Sequence, residues 1–99
     1  MATKIHRGSD NVFADLGFAA EEAANLQLRS TLMIALRKRL TALGATQAQA
    51  ARLFGVSQPR VSDLLRGKID RFSVDTLIRM LGQLGAEVRV SVRNKSNAA

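Results

Sequence analysis

The middle of the chain is divided by glycines and hydroxyl side chains into two short helical stretches. Thr46 is followed three residues later by Gln49, which is the spacing of a capping box, and the helix that begins there is predicted to end at Gly55. Ser57 is the N-cap of the second helix, and Pro59 falls in its first turn, where the missing backbone N–H costs nothing. This pattern predicts two helices joined by a tight turn: residues 47–54, and residues 58 to about 65.

The second of these helices separates apolar from polar residues. Val56 fills the elbow before it, and at 100° per residue three apolar side chains share one arc that is predicted to face the core: Val61, Leu64 and Leu65. The opposite arc and its flanks carry the remaining positions: Gln58, Pro59, Arg60, Ser62, Asp63 and Arg66. An apolar inner face with Gln, Arg, Ser and Asp outside is what a helix needs in order to lie in the major groove of DNA. A helical hairpin whose polar face meets only water is the alternative.

Longer helices are predicted on either side of this pair. Apolar residues recur at helical spacing from Ala20 to about Ala42. A fourth helix begins after Ser73 and ends at Gly85. The predicted fold class is therefore mainly α, with a helical domain over residues 20–85.

Beyond the last helix the apolar period changes from helical to alternating. Val88, Val90 and Val92 alternate with Arg and Ser, which predicts a β-strand over residues 86–93 with one apolar face. Because a lone strand leaves its backbone groups unpaired, we expect it to pair with the same strand of a second copy in a two-fold homodimer. Addition to the sheet edge of another protein is the alternative. Residues 94–99 are predicted to form a polar tail.

Charge is distributed unevenly along the chain, whose net charge is +7. Residues 1–28 hold two basic and four acidic groups, a net of −2, whereas residues 29–99 hold 13 basic and four acidic groups, a net of +9. A basic body attracts a phosphate backbone and releases its counterions, although a small soluble domain can carry such a charge without that role. We therefore predict a flexible acidic arm over residues 1–19 and a basic domain that binds double-stranded DNA.

Composition and motifs exclude several other classes of protein. The chain has no Cys and a single His6, so neither a Cys-ligated metal site nor a Ser–His dyad is expected. Phosphate-binding loops, nucleophile elbows and zinc-protease motifs are absent from the sequence. The apolar runs are too short to cross a bilayer, and the N-terminus lacks the apolar stretch of a secretory signal. The sequence thus predicts a cytoplasmic, non-enzymatic binding protein without cofactor or metal.

The segment from Thr46 to Gly67 resembles the helix-turn-helix of the Xre-type, lambda-repressor-like family, and the run through Leu84 is similar to that family's wider helical domain. The acidic arm, this domain, the run Arg71-Phe-Ser-Val-Asp-Thr-Leu and the terminal Val-rich strand together resemble the HigA-type antitoxins. That resemblance implies a repressor that neutralises a basic RelE-like ribonuclease toxin and autoregulates its operon. Stand-alone Xre-type transcriptional regulators without a toxin partner share most of the pattern. A partner-binding adaptor that does not bind DNA is a third hypothesis.

In a helix-turn-helix, the N-terminal part of the second helix reads base edges while the first helix lies on the backbone. Gln58 is a candidate reader of adenine, and Arg60 of guanine. Asp63 is a candidate acceptor from cytosine N4, or an ion-pair partner of Arg66 or Arg60. Pro59 is a candidate contact to a thymine methyl, or it only shapes the start of the helix.

The remaining candidate contacts fall into groups along the chain. Candidates for phosphate contacts are Thr46, Gln47, Ser57, Ser62, Arg66 and Lys68. A basic run in the long helix is either a further DNA contact or a solvated face: Arg37, Lys38 and Arg39. Three residues of the arm are candidates for toxin binding, or lie on the protein's own core: Phe13, Leu16 and Phe18. A homodimer held by the strand would present two recognition helices about 34 Å apart to a pseudo-palindromic operator.

Overall fold

The computed structural model describes residues 12–94, which form five α-helices and one short 3-10 helix. The α-helices are α1 (Val12–Asp15), α2 (Ala20–Leu43), α3 (Gln47–Phe54), α4 (Gln58–Leu65) and α5 (Val74–Gln83). The 3-10 helix, Ile69–Arg71, connects α4 to α5 and is named the 69–71 turn. The predicted bounds of α3 and α4 coincide with the observed ones, and α2 ends one residue beyond the predicted end.

Capping side chains define where the short helices begin. The hydroxyl of Thr46 accepts the backbone N–H of Gln49 at 3.1 Å, and the Gln49 side chain accepts the N–H of Thr46 at 2.9 Å. The hydroxyls of Ser57 and Ser73 accept the N–H three residues later at 3.3 and 3.1 Å. Gly55 ends α3 with a left-handed backbone, φ 70°. These local contacts explain why sequence alone located α3 and α4: each end is fixed by its own neighbours.

The hydrophobic core is built where α2 packs against α5, with α3 and α4 closing the remaining sides. The largest fully buried side chains come from α2, α4, α5 and the segment after the 69–71 turn: Met33, Leu36, Val61, Leu64, Phe72 and Leu77. Leu65 shares the predicted apolar arc of α4 but is half-buried at the edge of this core. Burial of Val61 and Leu64 fixes the rotation of α4 about its axis, and that rotation turns its polar arc outward.

Residues 12–19 have local structure, which differs from the flexible arm predicted over residues 1–19. α1 is a single helical turn that contacts α2, and the Phe13 and Phe18 rings meet edge to face with their centroids 6.2 Å apart. Apolar side chains lower their free energy by covering one another, and the Phe13 and Phe18 rings do so within the arm. Residues 1–11 lie outside the described residues.

A second, smaller apolar cluster lies at the N-terminal end of α2. Ala23 and Leu26 are buried there, yet neither belongs to the main core. Because α1 contacts α2, the arm packs on the first turns of that helix. The molecule is accordingly elongated, with extents of 50 × 27 × 18 Å.

The strand predicted over residues 86–93 is not found: this segment, described through Asn94, contains neither helix nor strand. Val88 is half-buried and packs against the core, whereas Val90 and Val92 are 71% and 89% exposed. The physical reason is that a strand requires a neighbouring backbone, and the described residues of this single chain offer none. Of the alternating apolar residues, only Ala86 and Val88 pack against the core.

Within residues 12–94, no helix is long and apolar enough to cross a lipid bilayer. The same residues include no group of three His, Cys, Asp or Glu side chains placed to hold a metal ion. Four basic side chains lie in or shortly after α4: Arg60, Arg66, Lys68 and Arg71.

Candidate nucleic-acid interface

The turn between α3 and α4 sets the relative direction of the two helices. The N–H of Gly55 donates to the carbonyl of Arg52 at 3.3 Å, and the N–H of Val56 donates to the carbonyl of Ala51 at 3.0 Å. These two bonds close the end of α3, and the half-buried Val56 packs against the core as the sequence predicted. α4 therefore leaves the turn in a direction fixed by backbone bonds and by one apolar contact.

α4 buries one face and exposes its N-terminal turn. Val61 and Leu64 are 1% and 0% exposed, whereas Gln58 and Pro59 are both exposed. Ser62 is half-buried on the same helix. A rigidly held helix with a free N-terminal turn is the arrangement by which a recognition helix brings side chains to base edges.

Arg60 lies against the protein itself. Its guanidinium carbon is 4.0 Å from the centre of the Phe72 ring, and its Nη1 donates to the carbonyl of Arg71 at 2.7 Å. The Phe72 ring is 1% exposed, so Arg60 forms part of its cover. For Arg60 to read guanine, its guanidinium would have to leave this position.

Asp63 is engaged in ion pairs, although not with the partners that helical spacing suggested. Its Oδ2 accepts from Nη1 of Arg71 at 3.1 Å, and its Oδ1 lies 4.0 Å from Nζ of Lys68. The predicted pairing with Arg66 or Arg60 is therefore replaced by pairing with residues that follow the helix. The reason is that the chain reverses after α4 and returns two cations to its outer face.

All six phosphate candidates lie in or beside α3 and α4: Thr46, Gln47, Ser57, Ser62, Arg66 and Lys68. The hydroxyls of Thr46 and Ser57 are occupied as acceptors by backbone N–H groups. Because an accepting hydroxyl keeps its proton, each retains one O–H donor for a phosphate oxygen. Arg66 is exposed at the end of α4, whereas Lys68 is half-buried beside Asp63.

The basic run of α2 has divided roles. The Nε of Arg39 donates to the carbonyl of Leu84 at 3.0 Å, which ties α2 to the end of α5. The guanidinium of Arg37 reaches the loop after α4, because its Nη1 would lie 3.9 Å from a Cβ placed at Gly67.

Sequence reasoning missed two arginines that organise this surface. Arg29 of α2 donates through Nη1 to the carbonyls of Ile69 at 2.9 Å and Phe72 at 3.4 Å, and through Nε to Asn25 at 2.7 Å. Arg71 pairs with Asp63, as described. The bonds from Arg29 to Ile69 and Phe72 span 40 and 43 positions, and the Arg71–Asp63 bond spans eight positions across the end of α4, so helical spacing indicates neither.

The sequence and fold match known helix-turn-helix proteins. A protein family described as "Helix-turn-helix domain" matches residues 12–93. The chain is also similar to a solved structure named "Putative XRE Family Transcriptional Regulator", with 32% identity and a TM-score of 0.71, covering 79% of this chain and 88% of that chain. A search of curated proteins found no significant match.

The fold and the α3–α4 pair define a helix-turn-helix protein, a class whose second helix binds in the major groove of DNA. The chain belongs to the helix-turn-helix domain family and has an Xre-type fold. The Xre-type prediction is thereby confirmed, and the HigA-type antitoxin subtype stays a prediction.

Proposed function

We propose that the protein is a sequence-specific transcriptional repressor whose α4 enters the major groove of its operator. The observation that carries this proposal is the polarity of α4, whose core-facing Val61 and Leu64 are buried while Gln58 and Pro59 are exposed on its first turn. The similar solved structure is named as an XRE-family transcriptional regulator, which supports the same role here.

The roles of individual residues follow from this placement. Gln58 and Pro59 are the first base-reading residues, because both are exposed at the N-terminal turn. The other two candidates, Arg60 and Asp63, both contact Arg71 of the 69–71 turn. The six phosphate candidates hold the backbone on either side: Thr46, Gln47, Ser57, Ser62, Arg66 and Lys68.

Binding to the DNA upstream of the protein's own gene tests the proposal. A band shift with that DNA is expected for the wild type, and the double variant Gln58→Ala/Arg60→Ala is expected to lose it. Gln83→Ala/Arg79→Ala makes the same chemical changes at exposed positions of α5 and is expected to bind as the wild type does. Equal binding by both double variants would rule out α4 as the recognition helix, and a wild type that binds no DNA would favour a DNA-independent adaptor.

A homodimer is the finer proposal for how two α4 helices meet a pseudo-palindromic site. Support comes from Val90 and Val92, whose apolar side chains are 71% and 89% exposed in a segment that has no strand partner within the described chain. Pairing of this segment with a second copy would cover them and satisfy the backbone. Val90→Pro is expected to convert a dimer to a monomer by light scattering, whereas Asn94→Pro, beyond the predicted strand, should not. An intact dimer of Val90→Pro would contradict strand pairing.

An antitoxin role is favoured over a stand-alone regulator by the surface of the arm. Leu16 and Phe18 are 71% and 41% exposed, and the acidic Asp15, Glu21 and Glu22 are exposed beside them. An acidic apolar surface suits a basic protein such as a RelE-like toxin. Phe13, the third residue of the predicted site, is half-buried against Phe18 and holds the arm together.

Co-expression with the product of the adjoining reading frame tests this role. Leu16→Ser/Phe18→Ser is expected to lose growth protection while it keeps operator binding. Leu43→Ser/Leu53→Ser removes exposed apolar side chains elsewhere and is expected to protect. A partner that still binds the arm variant, or an adjoining gene product that is not toxic, would favour a stand-alone regulator.

A further inference from the structure

The 69–71 turn contacts α4 through the backbone carbonyl and the guanidinium of Arg71. Its carbonyl accepts Nη1 of Arg60 at 2.7 Å, and its own Nη1 donates to Oδ2 of Asp63 at 3.1 Å. Arg60 and Asp63 lie about one helical turn apart on α4. A single residue outside the recognition helix therefore engages two of that helix's four base-reading candidates.

Of the two charged groups in the Arg71–Asp63 ion pair, the guanidinium of Arg71 is the more exposed. The Asp63 side chain is 22% exposed, against 52% for Arg71. Lys68 approaches the other carboxylate oxygen at 4.0 Å, so two cations flank the Asp63 carboxylate. A guanidinium carries five N–H donors, and the pair with Asp63 uses one of them.

The 69–71 turn is also held from the side of α2. Nη1 of Arg29 donates to the carbonyls of Ile69 and Phe72, at 2.9 and 3.4 Å, on either side of Arg71. These bonds hold the backbone that carries Arg71. A cation that is ordered in advance loses less entropy on binding than a free side chain does.

We infer that the 69–71 turn is a second DNA-contacting element, in which Arg71 binds a backbone phosphate beside the groove that α4 enters. Asp63 is the positioning residue that holds Arg71, and not a reader of cytosine. The inference rests on the proposed function, because it takes α4 to lie in that groove. A guanidinium suits a phosphate because its planar donors match two phosphate oxygens. A cation flanking the recognition helix meets the groove wall, which is made of phosphates.

A salt series with the full-length protein tests the phosphate contact. Fluorescence anisotropy on the operator and on a scrambled duplex gives the slope of log affinity against log salt concentration. Arg71→Ala is expected to weaken both duplexes about tenfold at moderate salt and to flatten the slope by about 0.9. Arg79→Ala removes the same charge from an exposed ion pair on α5 and is expected to leave the slope unchanged. Indistinguishable slopes for the two variants would overturn the contact.

Single base-pair changes in the operator test the role of Asp63. Asp63→Asn is expected to leave the order of preference among these changes as in the wild type, since no base depends on the carboxylate. Arg71→Ala should weaken binding less in the Asp63→Asn background than in the wild type, because Arg71 is no longer held there. Asp75→Asn/Arg79→Ala, the matched pair on α5, should show no such coupling. Loss of preference at one base pair in Asp63→Asn, or full additivity with Arg71→Ala, would overturn the positioning role.

These outcomes are distinct from a failure of the proposed function. If the wild type binds no DNA, the repressor proposal fails and takes the inference with it. Suppose that Gln58→Ala/Arg60→Ala loses DNA binding while Arg71→Ala has the same affinity and salt slope as Arg79→Ala. The repressor proposal then holds, and only the role of Arg71 is wrong. Thermal unfolding of each variant confirms that the comparison is between folded proteins.

Discussion

Arg29 and Ile69 are forty residues apart in the chain, yet Nη1 of Arg29 donates to the carbonyl of Ile69 at 2.9 Å. The same nitrogen lies 3.4 Å from the carbonyl of Phe72, so one cation serves two backbone acceptors. The bond links the long helix α2 to the 69–71 turn, and through that turn to α4.

Replacement of Arg29 by Ala should lower the free energy of unfolding by about 1–3 kcal/mol, because it leaves partly buried carbonyls without their charged donor. Arg29→Lys should recover only part of this, since an ammonium lacks the planar fork. Urea titration of both variants checks the prediction. Arg79→Ala, which breaks only an exposed ion pair, should change stability by less than about 0.5 kcal/mol.

Thr46→Ala removes the hydroxyl of the capping box at the start of α3. We expect a loss of about 1 kcal/mol, because the N–H of Gln49 then loses its acceptor. Thr46→Ser keeps the hydroxyl and should unfold within about 0.5 kcal/mol of the wild type. A Thr46→Ala protein as stable as Thr46→Ser would show that water replaces the cap at no cost.

Gly55→Ala and Gly82→Ala should change stability in opposite directions. Neither methyl group would meet another atom within 4 Å, but Gly55 has φ +70° whereas Gly82 lies within α5. The left-handed backbone of Gly55 makes its substitution destabilising by about 1 kcal/mol. The helical Gly82 makes the same change stabilising by about 0.5 kcal/mol. Thermal melts of the two single variants give the sign of each change.

Leu53 and Phe54 are neighbours in α3 with contrasting environments. Phe54 is 8% exposed and belongs to the core, whereas Leu53 is 45% exposed. Phe54→Ala should therefore cost about 3–5 kcal/mol, and Leu53→Ala less than about 1 kcal/mol. Chemical denaturation of both variants tests this contrast, and similar losses at the two positions would mean that α3 is rotated from the orientation described.

The helices and their ends were predictable because they depend on neighbours in sequence. Thr46 with Gln49, and Ser57 with the N–H of Arg60, are contacts over three residues. The burial of Val61 and Leu64 followed from helical periodicity alone.

What the sequence did not predict depends on contacts between distant segments. The position of Arg60 over Phe72 requires the chain to reverse after α4, and no local pattern records that reversal. The partners of Asp63 were wrong for the same reason, since the structure supplies Arg71 and Lys68 from beyond the helix. The strand of residues 86–93 was over-predicted, because alternation indicates an apolar face but does not provide a pairing partner.

α2 contains neither Gly nor Pro along its 24 residues, and these are residue types often found at sharp helix kinks. At a rise of 1.5 Å per residue, this helix is about 36 Å long. The apolar arm rests on its first turns, and Arg29 lies about 14 Å further along the same axis. The arm and the 69–71 turn therefore contact one continuous helix, so the helical rise of α2 sets how far apart they lie.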